Sequence, residues 1–445
     1  MPYTSNKFLT ILVILCSLTK PAIAQNLLAT YQLALQNDPL IKAAHANIEI
    51  ATESKDQSIA RMLPTVSANL GTDKFWLTNN KDSGPSTIVT GEGSIDFSRN
   101  TFTLALVQPI FHYDHWVQLD QSDNLAAQAE AQYHADLQEL MLRTSEAYFN
   151  VLSAQDELSF ILAKEKSIGF QIERANKRYK TGLIAITDVY EAQAGFDQAR
   201  ADVIAAENNV DSAKEQLREI IGEDNPVELS ILGETLPLQA PQPADIEEWK
   251  QNAALNNLNI IAGINAVEVV KKSINLQRSG HFPTLDVVGA YGLVDNSADF
   301  ALRGDVTNIG LQLNIPIFQG GAVNSRTRQA KSEYTRQNEL LKATKRSVNR
   351  RLKDSYRGVM ASIARVKALE SAVKSGKMSL RATETGFKVG TRTMIDVLAA
   401  TENLFSAESR YSRVRYEYII NNFRLKQVTS KLSIDDLAAI NGFLK

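Results

Sequence analysis

The sequence has little cysteine and proline and almost no excess charge. Its one cysteine, Cys16, excludes a disulfide framework within the 445-residue chain. Lysine and arginine number 48 against 50 aspartates and glutamates, so the basic surface typical of nucleic-acid-binding proteins is not expected. The main apolar run, Phe8–Leu18, is shorter than the roughly 20 apolar residues that a membrane-spanning helix needs. Composition therefore leaves two classes: a soluble helical protein, or a membrane protein not built from membrane helices.

Motifs of enzymes are also missing from the sequence. It contains no glycine-rich phosphate loop and no nucleophile elbow. The five histidines are His45, His112, His115, His134 and His281. Only His112 and His115 are close together, beside Asp114, and we interpret them as amphipathic residues at a membrane interface rather than metal ligands. We therefore expect a protein that is not an enzyme and that has no catalytic residues, no metal and no cofactor.

The N-terminus has the pattern of a secretory signal peptide over residues 1–24. Lys7 precedes the apolar run, and Ala22–Ala24 forms a small-residue cleavage site. A lipoprotein signal ending at Cys16 is the alternative, but the bulky leucine before that cysteine disfavours it. We expect export of the chain, with cleavage before Gln25.

Landmarks in the first half of the chain recur in the same order in the second half. Pro109–Phe111 recurs as Pro316–Phe318, and Asp188 with its valine recurs at Asp396. This preserved order predicts a tandem duplication, in which each repeat holds a helix, two strands and a long helical hairpin. The predicted organisation is a first repeat over 25–222, a proline-containing linker over 223–245, a second repeat over 246–431 and a C-terminal segment over 432–445.

The second part of each repeat has no proline and is rich in strong helix formers. One glycine turn interrupts each stretch, at Gly182 and at Gly390. We therefore predict two helical hairpins, with incoming arms over Asp114–Tyr179 and Ala322–Gly386. An arm of about 65 residues would be roughly 100 Å long, and helices of that length need coiled-coil packing against neighbours.

Strict alternation of polar and apolar residues predicts a β-strand over Asn308–Ile315. One face carries Ile309, Leu311, Leu313 and Ile315. Similar patterns predict strands over 65–76, 97–108 and 284–293. Runs of about ten residues match membrane-spanning strands, although a half-buried soluble sheet gives the same pattern. Because four strands cannot close and an open sheet edge is not tolerated in lipid, a membrane sheet here requires several subunits.

Four stretches of the sequence match a known family. They are Gly182–Val189, His281–Asp286, Pro316–Asn324 and Val389–Leu398. The chain resembles the TolC family of outer membrane efflux proteins over nearly all of its length from Gln25. The resemblance implies a mainly α fold with membrane β-barrel strands, in which three protomers form one twelve-stranded barrel in the outer membrane. A long α-helical coiled-coil tunnel continues into the periplasm, and 223–245 and 432–445 form an equatorial belt.

The same resemblance implies a function and its partners. Family members are passive exit ducts of tripartite efflux pumps and type I secretion systems. We expect a homotrimer in outer-membrane lipid that opens at its periplasmic tip when two partners dock. These are a periplasmic adaptor (membrane fusion) protein and an inner-membrane transporter of the RND, ABC or MFS type. The tip residues that the resemblance assigns to adaptor docking are Gly182, Leu183, Gly390 and Thr391.

A lock between neighbouring coiled coils is also implied by the resemblance. Arg392 matches a family arginine that holds the tip closed, with Thr187 and Asp188 as acceptors. A guanidinium suits this role because it can bridge a hydroxyl and a carboxylate. The alternative is a solvated turn residue. Phe387 replaces a family tyrosine that reinforces the lock, so we expect a looser closed state.

Asp396 matches one of two acidic positions at the family's periplasmic aperture, where three copies would favour cations. The second acidic position is Ala399 here, so we expect weaker cation selectivity. The alternative for Asp396 is a capping box with Thr393, three residues earlier, and both roles are compatible.

Two other functions compete with the duct. An exported coiled-coil structural or adaptor protein would leave the four amphipathic strands unexplained. A barrel-based surface receptor or adhesin would need long loops between paired strands, whereas these loops, near 79–93 and 295–305, have about 15 and 11 residues. The sequence favours the outer-membrane duct.

Overall fold

Two helices of nearly seventy residues dominate the computed structural model, which describes residues 25–79, 93–225, 227–233, 235–298 and 303–445. The expected signal peptide and most of both loops between paired strands lie outside these ranges. The helices are α1 Leu27–Asn37, α2 Pro39–Ala60, α3 Tyr113–Lys180, α4 Ile186–Ile221, α5 Ile246–Asn256, α6 Leu258–Arg278, α7 Ala322–Lys388, α8 Met394–Val428 and α9 Ile434–Asn441. The strands are β1 Thr65–Asn79, β2 Gly93–Phe111, β3 Thr284–Asn296 and β4 Gly304–Asn314.

The two hairpins pair a long arm with a shorter one. Helices α3 and α7 have 68 and 67 residues, and α4 and α8 return alongside them with 36 and 35. The predicted arms are thus confirmed to within two residues at each end. Among the described helices, none is long and apolar enough by itself to cross a membrane. One bent pair among them, α5 together with the segment Leu258–His281 at an angle of 41°, has sufficient length and apolar character when its two parts are combined.

A seam of buried alanines lets the helices approach closely. In α4, alanine recurs every seven residues and is at most 7% exposed. The seam consists of Ala192, Ala199, Ala206 and Ala213. A seven-residue repeat is the spacing of a left-handed coiled coil, and methyl side chains bring the helix axes near one another. The seam therefore explains how the arms of so long a hairpin pack closely along the part of α4 that holds these alanines.

All four strands form one antiparallel sheet in the order β1-β2-β3-β4. The prediction of four strands is confirmed, although β2 runs further than expected, through Pro109 to Phe111. Its register against β3 shifts between those two residues. Proline has no N–H to donate, so it is tolerated in a strand at such an irregularity. Within the described residues, β1 and β4 have no strand partner along their outer edges, so the sheet is open on both sides.

The main hydrophobic core lies midway along the helices, where α1, α5 and α9 pack against the hairpins. Tyr148 of α3 is fully buried there, and its hydroxyl donates to the backbone carbonyl of Ser230, at 2.8 Å. The segment after Ser230 in turn pairs with the C-terminal residues, because the amide of Lys445 donates to the carbonyl of Ile231 over 2.8 Å. The linker and the C-terminal segment therefore pack together midway along the long helices.

Candidate functional site at the helical tip

Both hairpins turn through the same backbone geometry. Gly182 and Gly390 have φ of +73° and +82°, the left-handed region that side chains disfavour. The amides of Leu183 and Thr391 donate back to the carbonyls of Arg178 and Gly386, each over 2.9 Å. This bond from the sixth residue to the first is the Schellman closure of a helix C-terminus, so both long arms end in equivalent turns.

The predicted docking residues lie at the exposed surface of these turns. Leu183 is 67% exposed, and the neighbouring Val389 is 71% exposed. No atom lies within 4 Å of where a Cβ would stand on Gly182 or Gly390, so nothing in the described chain covers either turn. The assignment of Gly182, Leu183, Gly390 and Thr391 to adaptor docking stays a prediction about the assembly.

Asp396 forms the capping box that its spacing from Thr393 predicts. The backbone N–H of Thr393 donates to Oδ2 of Asp396 over 2.9 Å, and the amide of Asp396 donates to the Thr393 hydroxyl oxygen over 3.2 Å. The pKa of Asp396 is lowered, first by the hydrogen bond from the Thr393 backbone, then by that from its hydroxyl, and least by the charge of Arg392. Asp396 therefore stays ionised at the start of α8, where a negative charge is also favoured by the helix dipole.

Arg392 lies exposed at the turn before α8. A Cβ at position 386 would lie only 2.8 Å from Cγ of Arg392. Because Gly386 has no side chain, Arg392 can lie against the end of α7. Within the described part of one chain, no hydrogen bond or ion pair joins Arg392 to Thr187 or Asp188. The predicted lock is a contact between neighbouring coiled coils of an assembly, and it stays a prediction.

Arg178 is a tip residue that sequence reasoning missed. It donates from Nη1 to the carbonyl of Phe387 over 2.9 Å and from Nη2 to that of Lys388 over 3.4 Å. Its guanidinium carbon also lies 4.9 Å from the centre of the Phe387 ring, a cation–π contact. A cation that binds the last carbonyls of a helix is stabilised by the helix dipole. Arg178 thus ties the end of α3 to the end of α7.

A small apolar cluster beneath the turns holds the two hairpins together. It consists of Ala175, Val189, Ala192, Met394 and Val397. Phe387 packs against its side. The Phe387 ring is therefore both a core contact and the platform for Arg178.

Comparisons with known proteins agree on one kind of protein. A model of the family described as outer membrane efflux protein matches residues 30–223 and 249–430. Outer membrane protein TolC of Vibrio cholerae serotype O1 is 36% identical over 427 residues, covering 95% of this chain and 94% of that protein. TolC of Escherichia coli K12 is 33% identical, covering 95% of this chain and 85% of its own length. Alkaline protease secretion protein AprF of Pseudomonas aeruginosa is 27% identical, over 95% and 88%.

Solved structures share the fold at lower identity. The Campylobacter jejuni CmeC outer membrane channel superposes with a TM-score of 0.81 at 15% identity, covering 95% of this chain and 90% of that one. The outer-membrane channel OprN superposes with a TM-score of 0.77 at 16% identity, covering 92% and 90%. The sheet and the paired long helices are therefore the architecture of known outer-membrane channels.

Proposed function

This chain belongs to the outer membrane efflux protein family, and we propose that it is an outer-membrane exit duct for efflux, type I secretion or both. The observation that carries the proposal is an open four-stranded sheet joined to two helical hairpins with arms of 68 and 67 residues. This architecture joins, in one chain, a membrane segment to part of the wall of a long periplasmic tunnel. It disfavours the coiled-coil scaffold, which needs no such sheet.

The duct is a homotrimer in this proposal. Strands β1 and β4 are the open edges of the sheet, and β4 is exposed along its whole length. Ile309 and Leu311 on β4 are 82% and 73% exposed, which suits contact with lipid rather than with water. Pairing β4 of one protomer with β1 of the next closes a barrel of twelve strands from three copies and leaves no edge.

The tip is the gate of this duct. Arg392 of one coiled coil bridges Thr187 and Asp188 of its neighbour, and opening requires that contact to break. Arg178 restrains the same movement inside the protomer, since it holds the end of α7 to the end of α3. An adaptor that docks at Gly182 and Gly390, energised by its transporter, releases both restraints. The protein itself supplies no energy.

Asp396 gives the opened or leaking tip its selectivity. Three ionised carboxylates around one axis attract cations, and the depressed pKa keeps them charged. Ala399 contributes no second ring, so multivalent cations block the tip less strongly than a double ring would.

Single-channel recording in planar bilayers tests both the duct and the lock. Purified wild-type trimer is expected to give a low resting conductance, and Arg392→Ser a higher one because the tip loosens. Arg381→Ser, an exposed arginine on α7, is the matched control and should behave as wild type. If no variant conducts, the duct proposal is wrong; if R392S and wild type conduct equally, only the lock is wrong.

The cargo class is tested in cells. A deletion strain with a plasmid-complemented control should retain a fluorescent efflux dye if the duct serves a multidrug pump. If it serves secretion instead, specific proteins should disappear from the culture supernatant. Complementation must reverse whichever change is seen.

A further inference from the structure

Four metal-ligating side chains meet where β2 leads into α3, at the opposite end of that helix from the tip. His112, Asp114 and His115 each offer a ligand atom within 4.8 Å of the others. Nδ1 of His112 and Nε2 of His115 each lie 3.8 Å from a carboxylate oxygen of Asp114. All three side chains are no more than 34% exposed, so the cluster is partly shielded from water.

The fourth residue comes from the other repeat. Asp286 of β3 accepts a hydrogen bond from Nε2 of His112 at 2.9 Å, and both side chains are 19% exposed. A neutral imidazole that donates from Nε2 carries its lone pair on Nδ1, which here faces Asp114. A carboxylate behind a histidine is how proteins fix the tautomer and orientation of a metal-binding imidazole. The sheet register places Asp286 there, opposite Pro109.

His115 is not satisfied by the protein alone. Its Nδ1 is buried without a hydrogen-bond partner among the described residues, and its ring stacks on that of His112 at 4.5 Å. Among the described residues, one ring nitrogen of His115, Nδ1, therefore has no partner, while Nε2 faces the Asp114 carboxylate at 3.8 Å.

These contacts change the interpretation of the two histidines, which the sequence alone suggested to be residues of a membrane interface. We propose that His112, Asp114 and His115 bind a divalent transition-metal cation such as Zn²⁺, with Asp286 orienting His112. Two imidazoles and one carboxylate suit Zn²⁺, Cu²⁺ or Ni²⁺, whereas Mg²⁺ and Ca²⁺ prefer oxygen ligands alone. A tetrahedral site with bonds of about 2.0–2.1 Å needs ligand atoms about 3.3 Å apart. The ligand atoms, now up to 4.8 Å apart, therefore move closer together on binding. Because the metal lies in the plane of each ring, the two stacked imidazoles must also tilt apart.

The location gives the cation a structural consequence. His112 precedes the first residue of α3, and Asp286 lies on the strand paired with β2. Fixing His112 between the metal and Asp286 ties the start of the helical tunnel to the sheet. Binding to the folded state stabilises that state, so Zn²⁺ should raise the thermal stability of the trimer and a chelator should reverse the gain.

Calorimetric titration of the purified full-length trimer with Zn²⁺ tests the site, using protein without a polyhistidine tag after dialysis against chelator. Wild type and the control His134→Ala, an exposed histidine on the same helix, should each bind one Zn²⁺ per chain. His115→Ala and Asp114→Asn should lose this binding. Asp286→Asn should weaken it by about 10–100-fold, as removal of such an outer partner typically does.

Co²⁺ absorption gives a second readout that does not depend on a variant. Wild type should show the strong visible bands of a tetrahedral nitrogen-and-oxygen site, and added Zn²⁺ should abolish them. Trimer mobility on gels and bilayer conductance report whether each variant assembles. The proposed metal site is wrong if wild type binds no Zn²⁺, or if assembled H115A and D114N bind Zn²⁺ as wild type does. If neither variant assembles, the Co²⁺ spectrum of wild type decides, because weak octahedral-type bands would contradict the proposed site.

Discussion

The proposed aperture role of Asp396 is compatible with its structural role. Both hydrogen bonds from Thr393 go to Oδ2 of its carboxylate and fix the start of α8. The same bonds lower its pKa and so favour the negative charge that the proposed aperture role requires. A cap and a selectivity residue therefore need not compete, because each role favours the ionised form.

We expect Asp396→Asn to reduce the preference of the channel for cations over anions. Asparagine keeps an oxygen that can accept from the Thr393 backbone, so the cap survives while the charge is lost. Reversal potentials in a KCl gradient measure the change. Asp435→Asn, an exposed aspartate at α9, is the matched control; equal potentials for D396N and wild type would contradict the aperture role.

The pH dependence of this selectivity follows from the same pKa. A carboxyl whose pKa is lower in the folded state than in the unfolded state stabilises the fold at any pH above its unfolded-state pKa. This contribution to stability is lost as the pH falls through the pKa of the folded state. Cation preference should therefore persist through the ordinary aspartate range near pH ~4 and disappear only below it. Loss of selectivity at higher pH would show that Asp396 is not the group responsible.

At the scale of residues, local spacing was predictable and long-range contacts were not. The three-residue step from Thr393 to Asp396 is enough to predict a capping box. Arg178 and Phe387 are 209 residues apart, and their contact depends on where α3 and α7 end relative to one another. The bond between His112 and Asp286 likewise requires the register of β2 against β3, which no local pattern contains.

At the scale of elements, the two glycine turns determine where each long arm stops. Because Gly390 has φ of +82° and open space around its Cα, alanine there would meet backbone strain and no steric clash. Substitution of Gly390 therefore tests the conformational role of glycine separately from side-chain packing.

We expect Gly390→Ala to destabilise the tip by about 1–2 kcal/mol. Hydrogen exchange of the amides around the turn should then quicken by about 5- to 30-fold. Gly376→Ala, inside α7 with Leu404 at an ordinary contact of 3.4 Å, is the control; it should slow exchange, since alanine favours helix. Faster exchange in both variants would mean that the turn conformation is not the cause.

The lengths of the helices were predictable because proline and glycine mark their ends. The strand ends were less so, since β1 and β2 run beyond the alternating stretches. Backbone pairing with the neighbouring strand continues where side-chain patterning stops, and Pro109 lies within β2 only because the register shifts there.

At the scale of the whole molecule, one chain is an incomplete channel. Duplication, long helical arms and four amphipathic strands could be predicted from the sequence pattern. The family, and with it the barrel and tunnel, came from the resemblance of four stretches of sequence. The count of protomers could not be derived from residues alone: an open sheet requires partners without stating how many.

We expect Leu311→Arg to impair assembly in the outer membrane, because it places a charge on the lipid-facing side of β4. The cost of arginine at mid-bilayer is about 2–4 kcal/mol in such barrels. Gln312→Arg, on the opposite face of the same strand, is the matched control and should assemble normally. Heat-modifiable gel mobility of outer-membrane fractions measures the trimer; equal assembly of both variants would contradict the proposed orientation of the sheet.

The buried alanines of α4 make the spacing of its packed helices a matter of side-chain volume. Ala192 and Ala199 are both fully buried, and every replacement except glycine is larger. Mutation at this seam can therefore push neighbouring helices apart but can hardly draw them closer. Substitutions along the seam therefore act in one direction, toward a wider spacing of the packed helices.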